Sequence, residues 1–174
     1  SGKTATIQQL CSIQPRDKEV LYLTYSRLLK QEAQARVRGA KVQNYHGIVY
    51  PYLRKHGLKC GISESIRVFN DNFERIAPDV PVYDLLVIDE YQDINEQYAQ
   101  LIRNIVSRNP TMQIVMVGDP DQKVQSNSVI NTQDFAREIT ASTGRVTREL
   151  GFTQSFRMGA QMGELLSAGW NKPV

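Results

Sequence analysis

Two clusters of residues in this sequence have the types and spacing to act on a phosphate. The first is Asp89-Glu90, adjacent carboxylates that end the apolar run Leu85-Leu86-Val87-Ile88. An aspartate in that place suits a hydrated Mg²⁺ ion, which prefers hard oxygen ligands and keeps several waters. The glutamate beside it can orient or deprotonate a water attacking a phosphate. Solvated acids at a strand end remain the ordinary reading of the same pair. The second cluster is Gly2-Lys3-Thr4, which opens a helical pattern through Ile7, Leu10 and Cys11. Gly-Lys-Thr at a helix start is the tail of the phosphate-binding loop G-x-x-x-x-G-K-[ST]. There the glycine lets the backbone approach the phosphates, the lysine reaches the β- and γ-phosphates, and the threonine hydroxyl ligates magnesium. The helix N-terminus adds free N–H groups and a positive dipole end. Only the end of that loop is in the sequence, so the chain is expected to start inside a Walker A loop of a longer protein.

For these groups to meet, the elements that carry them must deliver them to one edge. Leu85–Ile88 is a continuous aliphatic run, the pattern of a strand buried on both faces of a parallel sheet. Glu19 to Thr24 and Gln113 to Val117 read as strands, and Lys41 to Gln43 as a short one. Helices are expected from Arg27 to about Arg38, closed by Gly39, from Ile48 to His56, closed by Gly57, and within Ile66 to Ile76. After Asn95 as a cap, Tyr98, Leu101, Ile102, Ile105 and Val106 recur on one helical face. Further expectations are a helix from Phe135 to Ala141, a strand from Arg145 to Leu150, and a last helix through Met162, Leu165 and Leu166. Strand and helix in alternation with short links predict an α/β fold, a mostly parallel sheet with helices on both faces. In such sheets ligands sit at the carboxyl ends of the strands. That is where Asp89, Glu90 and the Gly118-Asp119-Pro120-Asp121-Gln122 segment would stand.

The 174 residues suffice for one domain, expected over 1–174, with a short helical excursion at about 48–82. Hydrophobic content of 41% and charged content of 22% place the chain with globular proteins. No apolar run approaches the roughly 20 residues of a membrane span, and no signal-peptide pattern opens the chain. Cys11 and Cys60 are far apart and read as buried or free thiols of a reducing compartment, and a cytoplasmic location is expected. Net charge is only +3, yet Lys and Arg concentrate between Arg27 and Arg67, opposed there only by Glu32 and Glu64. That stretch is either a polyanion footprint or a solvated helix face.

Six segments in order resemble the first RecA-like motor domain, 1A, of the UvrD/Rep-type superfamily 1 DNA helicases. Gly2-Lys3-Thr4 resembles the end of motif I, Leu23-Thr24-Tyr25-Ser26-Arg27 with Arg36 motif Ia, and Asn44-Tyr45-His46-Gly47 motif Ib. Val87-Ile88-Asp89-Glu90-Tyr91-Gln92-Asp93-Ile94-Asn95 is similar to motif II, Val117-Gly118-Asp119-Pro120-Asp121-Gln122 to motif III, and Ser155-Phe156-Arg157 to motif IV. The resemblance implies a RecA-like P-loop NTPase domain that binds ATP and Mg²⁺. Gly2, Lys3 and Thr4 would contact phosphates, with Thr4 and Asp89 on the metal and Glu90 as base. Gln122 would sense the γ-phosphate, Arg157 would stabilise charge on the transferring phosphoryl group, and Phe156 would stack on the adenine. Tyr25, Arg27 and His46 would meet single-stranded DNA. Each role has a structural competitor. Phe156, Tyr25 and His46 suit a core, Arg157 a surface, Gln122 a turn, and Gln92 and Asp93 a helix start.

The sequence departs from the family in two places. Lys123-Val124-Gln125-Ser126-Asn127-Ser128 stands where the family carries an aromatic that stacks on DNA. The span between His46 and Asp89 is too short for the family's inserted subdomain. The expected partners are single-stranded DNA and a second motor domain of the same parent chain, with no membrane. The residues given are expected not to unwind DNA alone. Competing readings are a P-loop ATPase or nucleotide kinase that does not track nucleic acid, and a binding module without turnover.

Overall fold

The computed structural model describes residues 2–119, 130–142, 144 and 148–151. Its centre is the pair β1 (Val20–Thr24) and β3 (Leu85–Asp89), whose branched and aliphatic side chains are buried on both faces as expected for interior parallel strands. β2 (Lys41–Asn44) and β4 (Gln113–Val117) flank them in the order β2-β1-β3-β4, and every pairing is parallel. Side chains alternate across a strand, so the register decides what each face offers. Val20, Tyr22, Leu85 and Val87 face Ile7 and Cys11 of α1 (Lys3–Ser12), with Ala33 of α2 (Arg27–Arg36) and Val37. Leu21, Leu23, Leu86 and Ile88 face the other way. They meet Tyr45, Ile48 and Val49 of α3 (Tyr45–Lys55), Ile66 and Phe69 of α4 (Ser65–Asp71), Ile76 of α5 (Phe73–Ile76), and Leu101 and Ile102 of α6 (Glu96–Arg108). Phe135 and Ile139 of α7 (Thr132–Ser142) join the same cluster. Each fully buried Leu or Ile in these layers contributes roughly 1.5–3 kcal/mol. The expected α/β architecture, a parallel sheet covered on both faces, is therefore present.

Caps set the helix starts. Ser26 accepts the Leu29 N–H at the head of α2, Asn44 accepts that of Gly47, and Asn95 accepts that of Tyr98. Each such cap is worth about 1 kcal/mol. The Asn44 cap starts α3 at Tyr45, earlier than the pattern suggests, so His46 and Gly47 lie in its first turn and Pro51 inside it. α2 ends at Arg36 because Val37 is extended; Gly39, at φ +78°, makes the turn into β2 instead of capping the helix. The expected helix within 66–76 is two short ones that meet at Asn72. Of the strand expected over 145–150, residues 148–150 are not strand and Leu150 is 89% exposed, while 145–147 and the last helix lie outside the described residues.

The amino-terminal end of the sheet is stapled by one residue. Asp84 accepts Lys18 Nζ at 2.8 Å and the Glu19 N–H at 2.9 Å, and its backbone bonds both Glu19 and Gln113. Beside it the buried Asn109 accepts the Tyr83 N–H and donates to the Ile105 carbonyl at 2.6 Å. Among the described residues no helix is long and apolar enough to cross a membrane.

Candidate active site

The topology itself points to the site. The chain leaves β1 toward β2 on one side and leaves β3 toward β4 on the other. The carboxyl ends of β1 and β3 therefore form the switch point at which open parallel sheets bind ligands. Side-chain parity places Asp89 on the same face as Tyr22, Val87 and α1. The Tyr22 hydroxyl donates to Asp89 Oδ2 at 2.7 Å, and the Glu90 N–H donates to Oδ1 at 3.0 Å. Burial holds the Asp89 carboxyl above its ordinary range. The Tyr22 and Glu90 N–H bonds and the Lys3 charge oppose that rise, and the Glu90 charge adds to it. The Tyr22 phenol is pushed well up for the matching reasons, burial first and the Asp89 bond second.

Glu90 turns the chain out of the sheet. It is the one non-glycine residue of positive φ among the described residues, at φ 51° and ψ 47°. A left-handed backbone costs an L-residue about 1–2 kcal/mol, and such strain gathers at working sites. The turn carries the carboxylate back over the start of α1. Lys3 Nζ lies 3.6 Å from Glu90 Oε2, with the lysine side chain 13% exposed and the glutamate 29%. Gly2 caps α1 without a side chain, so among the described residues the first N–H groups of the helix have neither an intrahelical nor a side-chain acceptor. Thr4 is exposed in the same first turn. An open helix N-terminus, an ammonium and two carboxylates thus converge from the start and the middle of the sequence.

Sequence reasoning gave four contributors no role in the site, although Gln92 and Gly118 stand within the segments similar to motifs II and III. Tyr22 was legible only as a polar-tipped aromatic in an otherwise aliphatic strand, a type that needs a hydrogen-bond partner when buried. Gln92, 3% exposed in the 3-10 turn Tyr91–Asp93, donates to Glu90 Oε2 at 2.6 Å and accepts the Asp119 N–H at 3.1 Å. Gly118 is demanded by packing, since a Cβ there would lie 2.3 Å from Gln92 Oε1 and 2.5 Å from the Tyr91 ring. Tyr98 is the hub of an aromatic cluster at the neighbouring strand ends. Tyr45 stacks on it at 4.3 Å, and Tyr25 and His46 meet it edge-on at 5.8 and 6.2 Å.

Tyr25 and His46 are therefore half-buried ring neighbours of one hub, while Arg27 is exposed at the start of α2. His46 Nδ1 lies 3.0 Å from Ser65 Oγ. Because the Ser65 hydroxyl donates to the Ile62 carbonyl at 2.8 Å, the histidine is the donor in that pair, and Nε2 carries the lone pair of the neutral ring. Gln122, Phe156 and Arg157 lie outside the described residues.

The donor set fits a magnesium–nucleotide ligand. Asp89 and Thr4 carry hard oxygens that would suit the ion, and Lys3 and the α1 N–H groups are donors that would suit phosphates. Mg²⁺ takes most of its ligands from water and substrate phosphates, so one carboxylate and one hydroxyl from the protein would suffice. No curated protein matches the chain. A family model described as an AAA domain matches residues 1–128, which include Lys3, Asp89 and Glu90. With most of its length covered, and the phosphate-side residues converging within that span, the chain belongs to the AAA domain family of P-loop ATPases.

Proposed function

We propose that the chain is the ATP-binding first motor domain of a UvrD/Rep-type DNA helicase, whose parent hydrolyses ATP to move along single-stranded DNA and unwind duplexes. The observation that carries this reading is the approach of Lys3 to Glu90, residues from α1 and the exit of β3, at the switch point of the sheet. In the proposed reaction the α1 N–H groups and Lys3 hold the β- and γ-phosphates. Thr4 and Asp89 would hold Mg²⁺, which when bound neutralises phosphate charge. Glu90 takes the proton of the attacking water, and its left-handed backbone turns the carboxylate toward the phosphate side of the sheet. The Tyr22 hydroxyl fixes the rotamer of Asp89 and favours its charged form. Gln122, Arg157 and Phe156 keep the roles that the resemblance implies: γ-phosphate sensor, charge stabiliser and adenine platform.

DNA would pass over the adjacent strand ends. The half-buried rings of Tyr25 and His46 offer faces for base stacking, and Arg27, exposed at the start of α2, is placed for a phosphate, whereas Arg36 and Lys41 stand at the opposite edge of the sheet. ATP hydrolysis by the full-length protein, measured with and without single-stranded DNA, tests the reading. Stimulation that rises with DNA and disappears in Lys3→Ala supports it. Hydrolysis indifferent to DNA, with Lys3→Ala still inactive, would favour an ATPase or nucleotide kinase that does not track nucleic acid.

A further inference from the structure

We propose that Gln92 is a positioning residue, which fixes the Glu90 carboxylate for attack and ties it to the chain leaving β4. The inference rests on the assignment of Glu90 as base. A side-chain amide has one accepting and one donating end, and here both are committed. Nε2 donates to Glu90 Oε2 at 2.6 Å, and Oε1 accepts the Asp119 N–H at 3.1 Å. A flipped amide would set oxygen against a carboxylate and NH₂ against an N–H, so the orientation is unique. The surroundings hold it there. Gln92 is 3% exposed, and Gly118 lies so close that a Cβ would come to 2.3 Å from Oε1.

The effect on Glu90 is directional. Oε2 takes the Gln92 amide and faces Lys3 at 3.6 Å, while Oε1 accepts nothing among the described residues. With Oε2 committed to the amide, Oε1 is the oxygen assigned to the water in this proposal. The backbone beneath cannot swing freely either, because the Glu90 carbonyl accepts the Asp93 N–H at 3.1 Å within the turn. A carboxylate displaced by arriving or departing phosphate charge would pull on Gln92, and through it on Gly118 and Asp119. The Gln92 side chain is therefore the mechanical link between the hydrolytic residue and the chain that leaves β4 at Gly118-Asp119.

Two substitutions separate orientation of the acid from simple anchoring of the loop. Gln92→Glu keeps an acceptor for the Asp119 N–H but replaces the amide donor to Glu90 with a second acid, which either repels the Glu90 carboxylate or shares its proton. Gln92→Met keeps the volume and removes both bonds. In the full-length protein, Gln92→Glu should lower kcat for ATP hydrolysis by on the order of tenfold to 100-fold, with KM close to wild type. A kcat for Gln92→Glu within about twofold of wild type, in a protein that melts normally, overturns the proposal, because loop anchoring alone then explains Gln92. Gln92→Met should match or exceed the loss in Gln92→Glu, and normal turnover in a folded Gln92→Met overturns the link as well. Glu90→Gln is the control. If it hydrolyses ATP normally, the assignment of the base fails; if it is inactive while the Gln92 variants are normal, only the positioning role fails.

Discussion

Strand β3 begins beside one aspartate and ends in another, and the two live in opposite regimes. Asp84, at the amino-terminal end, is held below the ordinary carboxylate range by the Lys18 ammonium first and the Glu19 N–H second. Asp89, at the carboxyl-terminal end, is held above that range chiefly by burial. Every contact that Asp84 makes favours the folded chain. At Asp89 one phenol, one N–H and the Lys3 charge oppose the cost of burial without cancelling it, and the next residue adopts a strained backbone. One end of the sheet is built for stability and the other stores cost, which is the division expected where strand ends form a reaction site.

The sharpest way to break this comparison is to change the chemistry of the costly end alone. Glu90→Gln should reduce ATP turnover by about 100-fold to 10,000-fold while leaving nucleotide binding and melting temperature near wild type. Steady-state kinetics beside a binding titration would show it, and equal losses in both would place Glu90 in binding instead of catalysis. Next in size comes the stable end. Asn109→Ala leaves the buried Tyr83 N–H without its acceptor, and denaturant melts should record a loss of about 1–3 kcal/mol with turnover per folded molecule unchanged. Glu90→Gly probes the stored strain. Set against Glu90→Ala, which loses the same carboxylate contacts but keeps a Cβ, it should be the more stable by about 1 kcal/mol, and an alanine variant as stable as the glycine one would contradict the strain argument.

Two smaller effects depend on pH. A phenol that donates to a carboxylate favours its charged form, so Tyr22→Phe should raise the Asp89 pKa further. As pH falls, Mg²⁺-dependent nucleotide binding should then weaken at a higher pH in the variant than in the wild type. Unchanged pH profiles would mean that Tyr22 only fills space. The folded-state pKa of Asp84 is lowered, so its stabilisation is present above the ordinary carboxylate pKa and is lost as pH falls through the folded value. Asp84→Ala should therefore lower the melting temperature at neutral pH, and the gap from wild type should close on acidification.

The two ends also differed in how plainly the sequence announced them. The aliphatic runs of β3 and β4, the spacing of apolar residues in α6 and the Asn95 cap are local patterns, and each forecast its element. Local signals misled where two competed. Gly47 argues against a helix before Ile48, yet the Asn44 cap and the burial of Tyr45, Ile48 and Val49 start α3 at Tyr45. In the site, Gly2-Lys3-Thr4 and Asp89-Glu90 were visible because each is a short motif. Their approach was not, since the pairing of β1 with β3 sets it from distant parts of the chain. Tyr22 and Gln92 were hidden for the same reason. A tyrosine in a strand and a glutamine after two acids carry no mark of the partners that the register and the left-handed turn supply.

The Tyr22–Asp89 bond gives the protein a built-in optical gauge. Phenol absorption responds to the charge and hydrogen bonding of its partner, and this phenol is buried with its hydroxyl on the carboxylate proposed to meet magnesium. Metal or proton arriving at Asp89 would perturb the Tyr22 near-ultraviolet band, and the difference spectrum of Tyr22→Phe supplies the blank. Occupancy of the site is thus readable by light, without a label and without turnover.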